Sequence, residues 1–156
     1  MELRAAVSGD AGVVAGIWYA GWRDGHWGHI PEALVAVRTR ESFDLRAAER
    51  VGDTTVCTVD GRVVGFVMVV GDEVEQVYLA SDQRGSGLAA ELLAEAERQV
   101  RANGHSRAWL AVVEGNARAR RFYERQGWVS EGPFDYQASS ADGPIAVPCL
   151  RYAKPV

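Results

Sequence analysis

Cysteine is nearly missing from this sequence: Cys57 and Cys149 are the only two, far apart and outside any C-x-x-C pairing. Two such thiols argue against a disulfide framework and read as reduced, which places the chain in the cytoplasm. No apolar run comes near the roughly 20 residues that a bilayer-crossing helix needs. The longest, Val63 to Val70, contains Gly65 and has the length of a strand. The opening MELRAAVSGD lacks an apolar h-region, so a secretory leader is not expected. A basic stripe is also lacking: 17 Lys and Arg against 21 Asp and Glu leave a net charge of −4, which argues against a nucleic-acid partner. No repeat, low-complexity tract or linker divides the chain. What is present is enough apolar side chain, 47% of the sequence, to build a core in one domain over residues 1–156.

The patterning then sets out the elements. Glu2 to Val7 is a strand candidate, Ser8-Gly9-Asp10 a turn with an N-cap, and Ala11 to Ala20 a helix with Val13, Val14, Ile17 and Trp18 on one side. Gly21 to Pro31, GWRDGHWGHIP, reads as an aromatic and polar loop between helices; its Trp22 and Trp27 either fold onto the core or wall a pocket. Asp24, His26 and His29 lack the helical frame and the further ligand that a metal centre needs, so no metal is expected. Pro31 suits the first turn of a second helix over Ala33 to Val37, and a further helical piece lies near Ser42 to Ala48. Arg38, Arg40, Arg46 and Arg50 are scattered among Glu41, Asp44 and Glu49 in the manner of a solvated face.

Thr54 to Val59, Arg62 to Val70 and Glu73 to Ala80, joined by Asp60-Gly61 and Gly71-Asp72, predict an antiparallel meander of three strands. Arg107 to Val113 is expected to return parallel to the third of them across a helix. Ala117 to Gln126 is a shorter helix stopped by Gly127, and Trp128 to Gln137 and Ile145 to Tyr152 are the last strands, joined by SSADGP. The fold class is α/β in the α+β sense, a mixed, mostly antiparallel sheet of about six to seven strands flanked by helices.

Glu73 to Val100 is the stretch around which the rest is organised. Val77-Tyr78-Leu79 has strand character, Ser81 and Asp82 break it, and Arg84-Gly85-Ser86-Gly87 leads into a helix whose apolar stripe is Leu88, Leu92, Leu93, Ala96 and Val100. The first N–H groups of a helix have no internal acceptor and lie at the positive end of its dipole. Glycines there let a ligand approach the backbone, so the turn suits a phosphate or pyrophosphate, with Arg84 adding a charge-assisted bond. A glycine pair before a helix is also found in a plain tight turn. Gly85, Gly87 and Ala90 fit the weak end of the dinucleotide fingerprint G-x-G-x-x-A. The hairpins before the turn and the position of Glu114 speak against that reading.

Two ordered motifs resemble the GNAT superfamily of acyl-coenzyme A-dependent N-acetyltransferases. Arg84-x-x-Gly87-x-Ala89 is similar to the family's pyrophosphate loop. Asn116-x-x-Ala119-x-x-x-Tyr123-x-x-x-Gly127-Trp128 is similar to its downstream helix. The resemblance covers nearly the whole chain, most fully Thr54 to Trp128. It implies acetyl-coenzyme A as cofactor, held at the pyrophosphate by Arg84, Gly85, Ser86, Gly87, Leu88 and Ala89. It implies that Val77 and Leu79 pair with the pantetheine arm through their main chains, where two parallel strands splay apart, and that the Leu79 N–H polarises the thioester carbonyl. The alternative is that both residues complete the sheet ladder.

The resemblance further implies that Asn116 and Ala119 lie against coenzyme A, Asn116 also serving as a helix cap. Tyr123 is implied as the acid toward the leaving thiolate, since a thiol has pKa ~8.5 and a tyrosine ~10; the plain alternative is a core tyrosine. Glu75 would be a base acting through water, bordering the substrate, or else an exposed acid at the sheet edge. Strand alternation places Glu73, Glu75, Val77 and Leu79 on one face and Val74, Gln76 and Tyr78 on the other.

Trp22 and Trp27 would wall the acceptor pocket. Ser81 stands where relatives often have proline, and Ser86 where many have a basic residue, which weakens phosphate binding at most. Neither cysteine lies near the proposed thioester by sequence position, so direct attack in a ternary complex is expected over a cysteine-borne acyl group. The expected activity is acetyl transfer to a primary amine, of a small molecule first and of a protein N-terminus or lysine as the alternative. The mild acidity of the chain is compatible with a cationic amine. A non-catalytic acyl-coenzyme A-binding or sensor module is the reading from another class. Pairing of two copies as a homodimer is left open.

Overall fold

In a computed structural model describing residues 1–156, seven strands form one sheet in the order β1-β2-β3-β4-β5-β7-β6. The strands are β1 (Glu2–Ala5), β2 (Thr54–Val59), β3 (Arg62–Val70), β4 (Glu73–Leu79), β5 (Arg107–Val112), β6 (Val129–Ala138) and β7 (Ile145–Pro155). Every neighbouring pair is antiparallel except β4 and β5. The helices are α1 (Ala11–His26), α2 (Glu32–Val37), α3 (Arg40–Glu49), α4 (Leu88–Ala102) and α5 (Ala117–Arg125). The mixed, mostly antiparallel sheet with flanking helices is the architecture expected from the patterning. None of the helices is long and apolar enough to cross a membrane.

The two faces of the sheet carry separate cores. On one, the α4 stripe of Leu92, Leu93, Ala96 and Val100 packs on Val64, Val67, Val74, Leu110 and Trp128. Each large aliphatic side chain buried there contributes roughly 1.5–3 kcal/mol. On the other face, Trp18 and Trp22 of α1 and Phe43 of α3 pack on Val56, Phe66 and Met68. A smaller cluster joins Leu34 of α2 to Val113, Val147 and Cys149. The Thr39 hydroxyl opens α3 by accepting a hydrogen bond from the Ser42 N–H at 3.2 Å.

Two features depart from the sequence reading. First, α1 does not stop at Ala20 but runs through His26, so half of the expected loop is helix. Its glycines are there for clearance: a Cβ on Gly21 would lie 2.3 Å from the Tyr78 ring, and one on Gly25 would lie 2.6 Å from Asn116 Nδ2. Residues i and i+4 share one helical face, so α1 presents a bare strip to β4 and to the start of α5. Second, β4 contains a bulge. Met68 pairs with Gln76 but Val69 pairs with Val74, leaving Glu75 as the additional residue. The bulge resets the alternation: Val74 joins Val77 and Leu79 on the α4 face, against the expectation that it would oppose them.

Candidate active site

The glycine turn leads into α4 as expected. Gly85 and Gly87 have φ of 78° and 85°, left-handed values that favour glycine, and nothing lies within 4 Å of a Cβ built on either. Within the turn the Arg84 N–H reaches Ser81 O and the Ser86 N–H reaches Gln83 O, while the Leu88 N–H meets the Ser86 hydroxyl at 3.4 Å. The N–H groups of Gly85, Gly87, Ala89 and Ala90 have no protein acceptor. The loop therefore offers a set of free donors on an exposed surface at a helix start. Arg84 is already engaged, its Nη2 donating to Asp24 Oδ2 of α1 at 2.9 Å in an exposed ion pair.

Between that loop and the interior, β4 and β5 come apart. Glu73↔Trp109 is their single register pair, supplemented by the Trp109 N–H donating to Asp72 O at 3.1 Å. Ala80 N–H donates to Val64 O, so in the antiparallel alternation Ala80 and Tyr78 turn their main chain toward β3, and Val77 and Leu79 turn theirs toward β5. Past Glu73 no β5 residue is there to receive it. Val77 and Leu79 thus present main-chain groups to a gap instead of completing the ladder.

The gap opens into a cavity of about 240 Å³. Val77, Asn116, Ala119, Tyr123, Trp22 and Glu75 all reach its wall; Leu79 and the Arg84–Ala89 loop lie beyond it. Asn116 caps α5, its Oδ1 accepting from the Ala119 N–H at 3.2 Å. Tyr123 packs against Trp128 and Tyr152 in a tilted aromatic group, and its hydroxyl has no protein partner. Burial pushes the Tyr123 phenol up to about 12. Tyr78, on the same wall, is raised further, again chiefly by burial.

Three expectations need correction. Trp27 does not reach the cavity: it caps α1, is 64% exposed and lies beside the Arg23 guanidinium. The extra turns of α1 carry it outward, while Trp22, 7% exposed, faces in. Glu75 is not a free carboxylate, because Arg50 Nη1 and Nη2 donate to its two oxygens at 3.3 and 2.8 Å. The arginines read as a solvated face are mostly not one. Arg40 pairs on the surface with Asp44, whereas Arg38, Arg46 and Arg50 line the cavity.

The cavity also contains groups that sequence reasoning passed over. Glu73 accepts from the Tyr136 hydroxyl at 2.6 Å, leaving its other oxygen without a protein partner, and burial raises its carboxyl pKa. The family resemblance pointed to Glu75 instead, and the strand alternation that placed both on one face is broken by the bulge. Cys149, distant in sequence, reaches the same wall, but burial holds its thiol up at about 11, so little thiolate is available. Asp24, His26 and His29 are separated by their partners: Asp24 bonds Arg84, His26 Nδ1 lies 3.1 Å from Trp22 O, and His29 packs on Gly115.

Comparison with known proteins bears on the fold and the family. The model of the Acetyltransferase (GNAT) family matches residues 14–128. An uncharacterised N-acetyltransferase of Mycobacterium tuberculosis is 37% identical over 78 residues, which are 47% of this chain and 50% of the relative. The chain thus spans about half the length of the curated relatives it matches. Among solved structures, the GCN5-related N-acetyltransferase from Rhodopseudomonas palustris superposes with a TM-score of 0.76 at 20% identity, covering 99% of this chain and 95% of that one. The PaiA N-acetyltransferase from Thermoplasma acidophilum, solved in complex with coenzyme A, gives 0.72 at 16% identity over 99% and 98%. At these identities the structures show a shared fold.

Proposed function

The chain belongs to the acetyltransferase (GNAT) family, and on that premise we propose that it transfers an acetyl group from acetyl-coenzyme A to the primary amine of a small molecule, both bound at once. The observation that carries this reading is the continuous path of unpaired main chain: free N–H groups at the start of α4, then Val77 and Leu79 at the opening between β4 and β5, then a cavity lined by Tyr123. Coenzyme A fits these residues. Its pyrophosphate would take the free amides of Gly85, Gly87, Ala89 and Ala90, with Arg84 exchanging Asp24 for phosphate. Ser86 would contribute its place in the turn, and Leu88 the first residue of the helix. Its amide arm would take the main chain of Val77 and Leu79, beside Asn116 and Ala119.

When bound, acetyl-coenzyme A supplies the acetyl group as a thioester. The rest falls to the chain. Tyr123 Oη would donate a hydrogen bond to negative charge developing on the sulfur. With its pKa near 12, full proton release to a thiolate of pKa ~8.5 is uphill by roughly 5 kcal/mol, so the hydroxyl keeps its proton. The incoming ammonium must lose a proton, and Glu73 is the better acceptor: its carboxyl is less acidic than usual and half free, whereas Glu75 is closed by Arg50. Glu75 is then a positioning residue that holds Arg50 against the bulge. Cys149, kept as a thiol by burial, gives no ground for a cysteine-borne acyl group.

A screen of thiol release from acetyl-coenzyme A across an amine library, run beside calorimetric binding of coenzyme A, tests the reading. Binding with amine-dependent release is the expected result. Binding with no release from any amine would point to a non-catalytic acyl-coenzyme A-binding module, and no binding would remove the family activity altogether.

A further inference from the structure

The cavity wall carries an imbalance of charge. Three arginines reach it, Arg38, Arg46 and Arg50, against two carboxylates, Glu73 and Glu75. Arg50 is satisfied by Glu75 at 2.8 Å and by Asp53 at 3.0 Å. Glu73 makes no ion pair and accepts from the Tyr136 hydroxyl through one oxygen. Neither Arg38 nor Arg46 has a carboxylate partner. Arg38 is only 7% exposed, and its one hydrogen bond runs from Nη2 to the Ser139 carbonyl at 2.7 Å. Arg46 donates no hydrogen bond; its guanidinium lies 4.2 Å above the centre of the Trp18 ring, which covers one face and leaves the edges facing the cavity. Burial and the nearby charge of Arg38 weaken Arg46 as a cation, to a pKa of about 10, and it is still protonated at neutral pH. His26, on the same wall, is held below its ordinary value by burial, so it adds no further positive charge at neutral pH.

A guanidinium buried without an anionic partner, as Arg38 is, or half-buried, as Arg46 is, is costly unless an anion meets it. The carboxylates on this wall are already engaged, Glu75 by Arg50 and one oxygen of Glu73 by Tyr136, and neither pairs with Arg38 or Arg46. Arginine presents a planar fork of donors that suits a carboxylate or a tetrahedral oxyanion. A cavity of about 240 Å³ is also smaller than those that take drug-sized ligands, so the molecule that brings the anion is compact.

Resting on the acetyl-transfer reading of the same cavity, we propose that the acceptor is a small zwitterion, a primary amine with an oxyanion on the same short skeleton, and that Arg38 and Arg46 hold the oxyanion. The amine end then lies toward Glu73 and the gap beside Val77. Simple polyamines, amidated peptides and lysine side chains, which bring cations without a nearby anion, are poor acceptors.

The test uses the full chain and matched probes: L-amino acids, their carboxamides, aminoalkylphosphonates, a polyamine and a short peptide with an amidated C-terminus. Two readouts are taken, thiol release from acetyl-coenzyme A and calorimetric binding of each probe to the protein alone. The expected result is a preference of tenfold to a hundredfold for a carboxylate or a phosphonate over the matching carboxamide, in kcat/KM and in binding, the size expected of a hydrogen-bonded charge. The two acid arms say which oxyanion is meant. Arg46→Gln lowers the acid-to-carboxamide ratio at least tenfold, and Arg46→Lys restores part of it; retained coenzyme A binding certifies that each variant is folded. Arg38→Gln gives a second reading of the same ratio. Turnover with no acid preference, or with polyamine or peptide preferred, overturns the proposal while leaving acetyl transfer intact. If no amine is turned over, acetyl transfer fails and calorimetry still decides, since equal binding of acid and carboxamide, or none, overturns the zwitterion.

Discussion

Tyr123 and Glu73 are both shifted by burial, and the shifts act in opposite ways on what each can do. Raising a phenol to about 12 keeps it protonated across the working range, so it serves as a hydrogen-bond donor and adds no alkaline limb of its own. Tyr123→Phe is expected to lower kcat by about a hundredfold with the KM for acetyl-coenzyme A changed much less, the split that steady-state kinetics reads. Raising a carboxyl makes it a better base. The acid limb of kcat/KM should therefore fall at a pH above the ordinary glutamate value of 4.5. Glu73→Gln should lose roughly a hundredfold in rate, and Glu75→Gln less.

The stability sign at Glu73 runs the other way. A raised carboxyl favours the fold below the unfolded value and loses that contribution as pH rises through the folded one. Glu73→Gln is thus expected to melt no lower than the parent at pH 7, measured by thermal denaturation. At this scale Tyr123 and Asn116 could be singled out through the family resemblance because the motif that carries it is linear along one helix and its cap, and both reach the cavity wall. Arg38, Arg46 and Arg50 stayed hidden because charges alternating with acids look the same whether they face water or a cavity, and only the packing of α2 and α3 distinguishes the two.

Elements bring a different kind of constraint, clearance. Alanine at position 21 would gain up to about 1 kcal/mol of helix propensity over glycine. It would also drive a methyl to 2.3 Å from the Tyr78 ring. Overpacking of that kind costs typically 1–3 kcal/mol, so Gly21→Ala is expected to destabilise by about 1 kcal/mol in chemical denaturation. It should also cut activity, since the displaced Tyr78 lines the cavity. The same glycines misled the sequence reading, because Gly21, Gly25 and Gly28 within GWRDGHWGHIP carry the composition of a loop. The glycine turn before α4 was legible because a left-handed turn and a helix start are local matters. The bulge at Glu75 was not, because it is a relation between β3 and β4 and leaves no mark in β4 alone.

Across the whole molecule, the three-strand meander and the parallel return of β5 followed from the turns and the helix between them, the insertion of β7 between β5 and β6 did not, and the parting of β4 from β5 came to the sequence only through family resemblance. In the structure it means that the middle of the sheet is joined by one register pair, with α4 crossing between the halves. A ligand that supplies hydrogen bonds in the gap binds the folded form alone. At a concentration a hundred times its Kd, coenzyme A should add about 2.7 kcal/mol. For a chain of this size that corresponds to a rise in Tm of roughly 5–10 °C, read by scanning calorimetry. Pantetheine, which lacks the pyrophosphate, should give much less at the same concentration.

The opening between the two central strands also has a mechanical side. The first strand belongs to one half of the sheet and the last to the other, so a force applied at the two ends of the chain loads that fault line directly. Whatever fills the slot adds a rivet across that line.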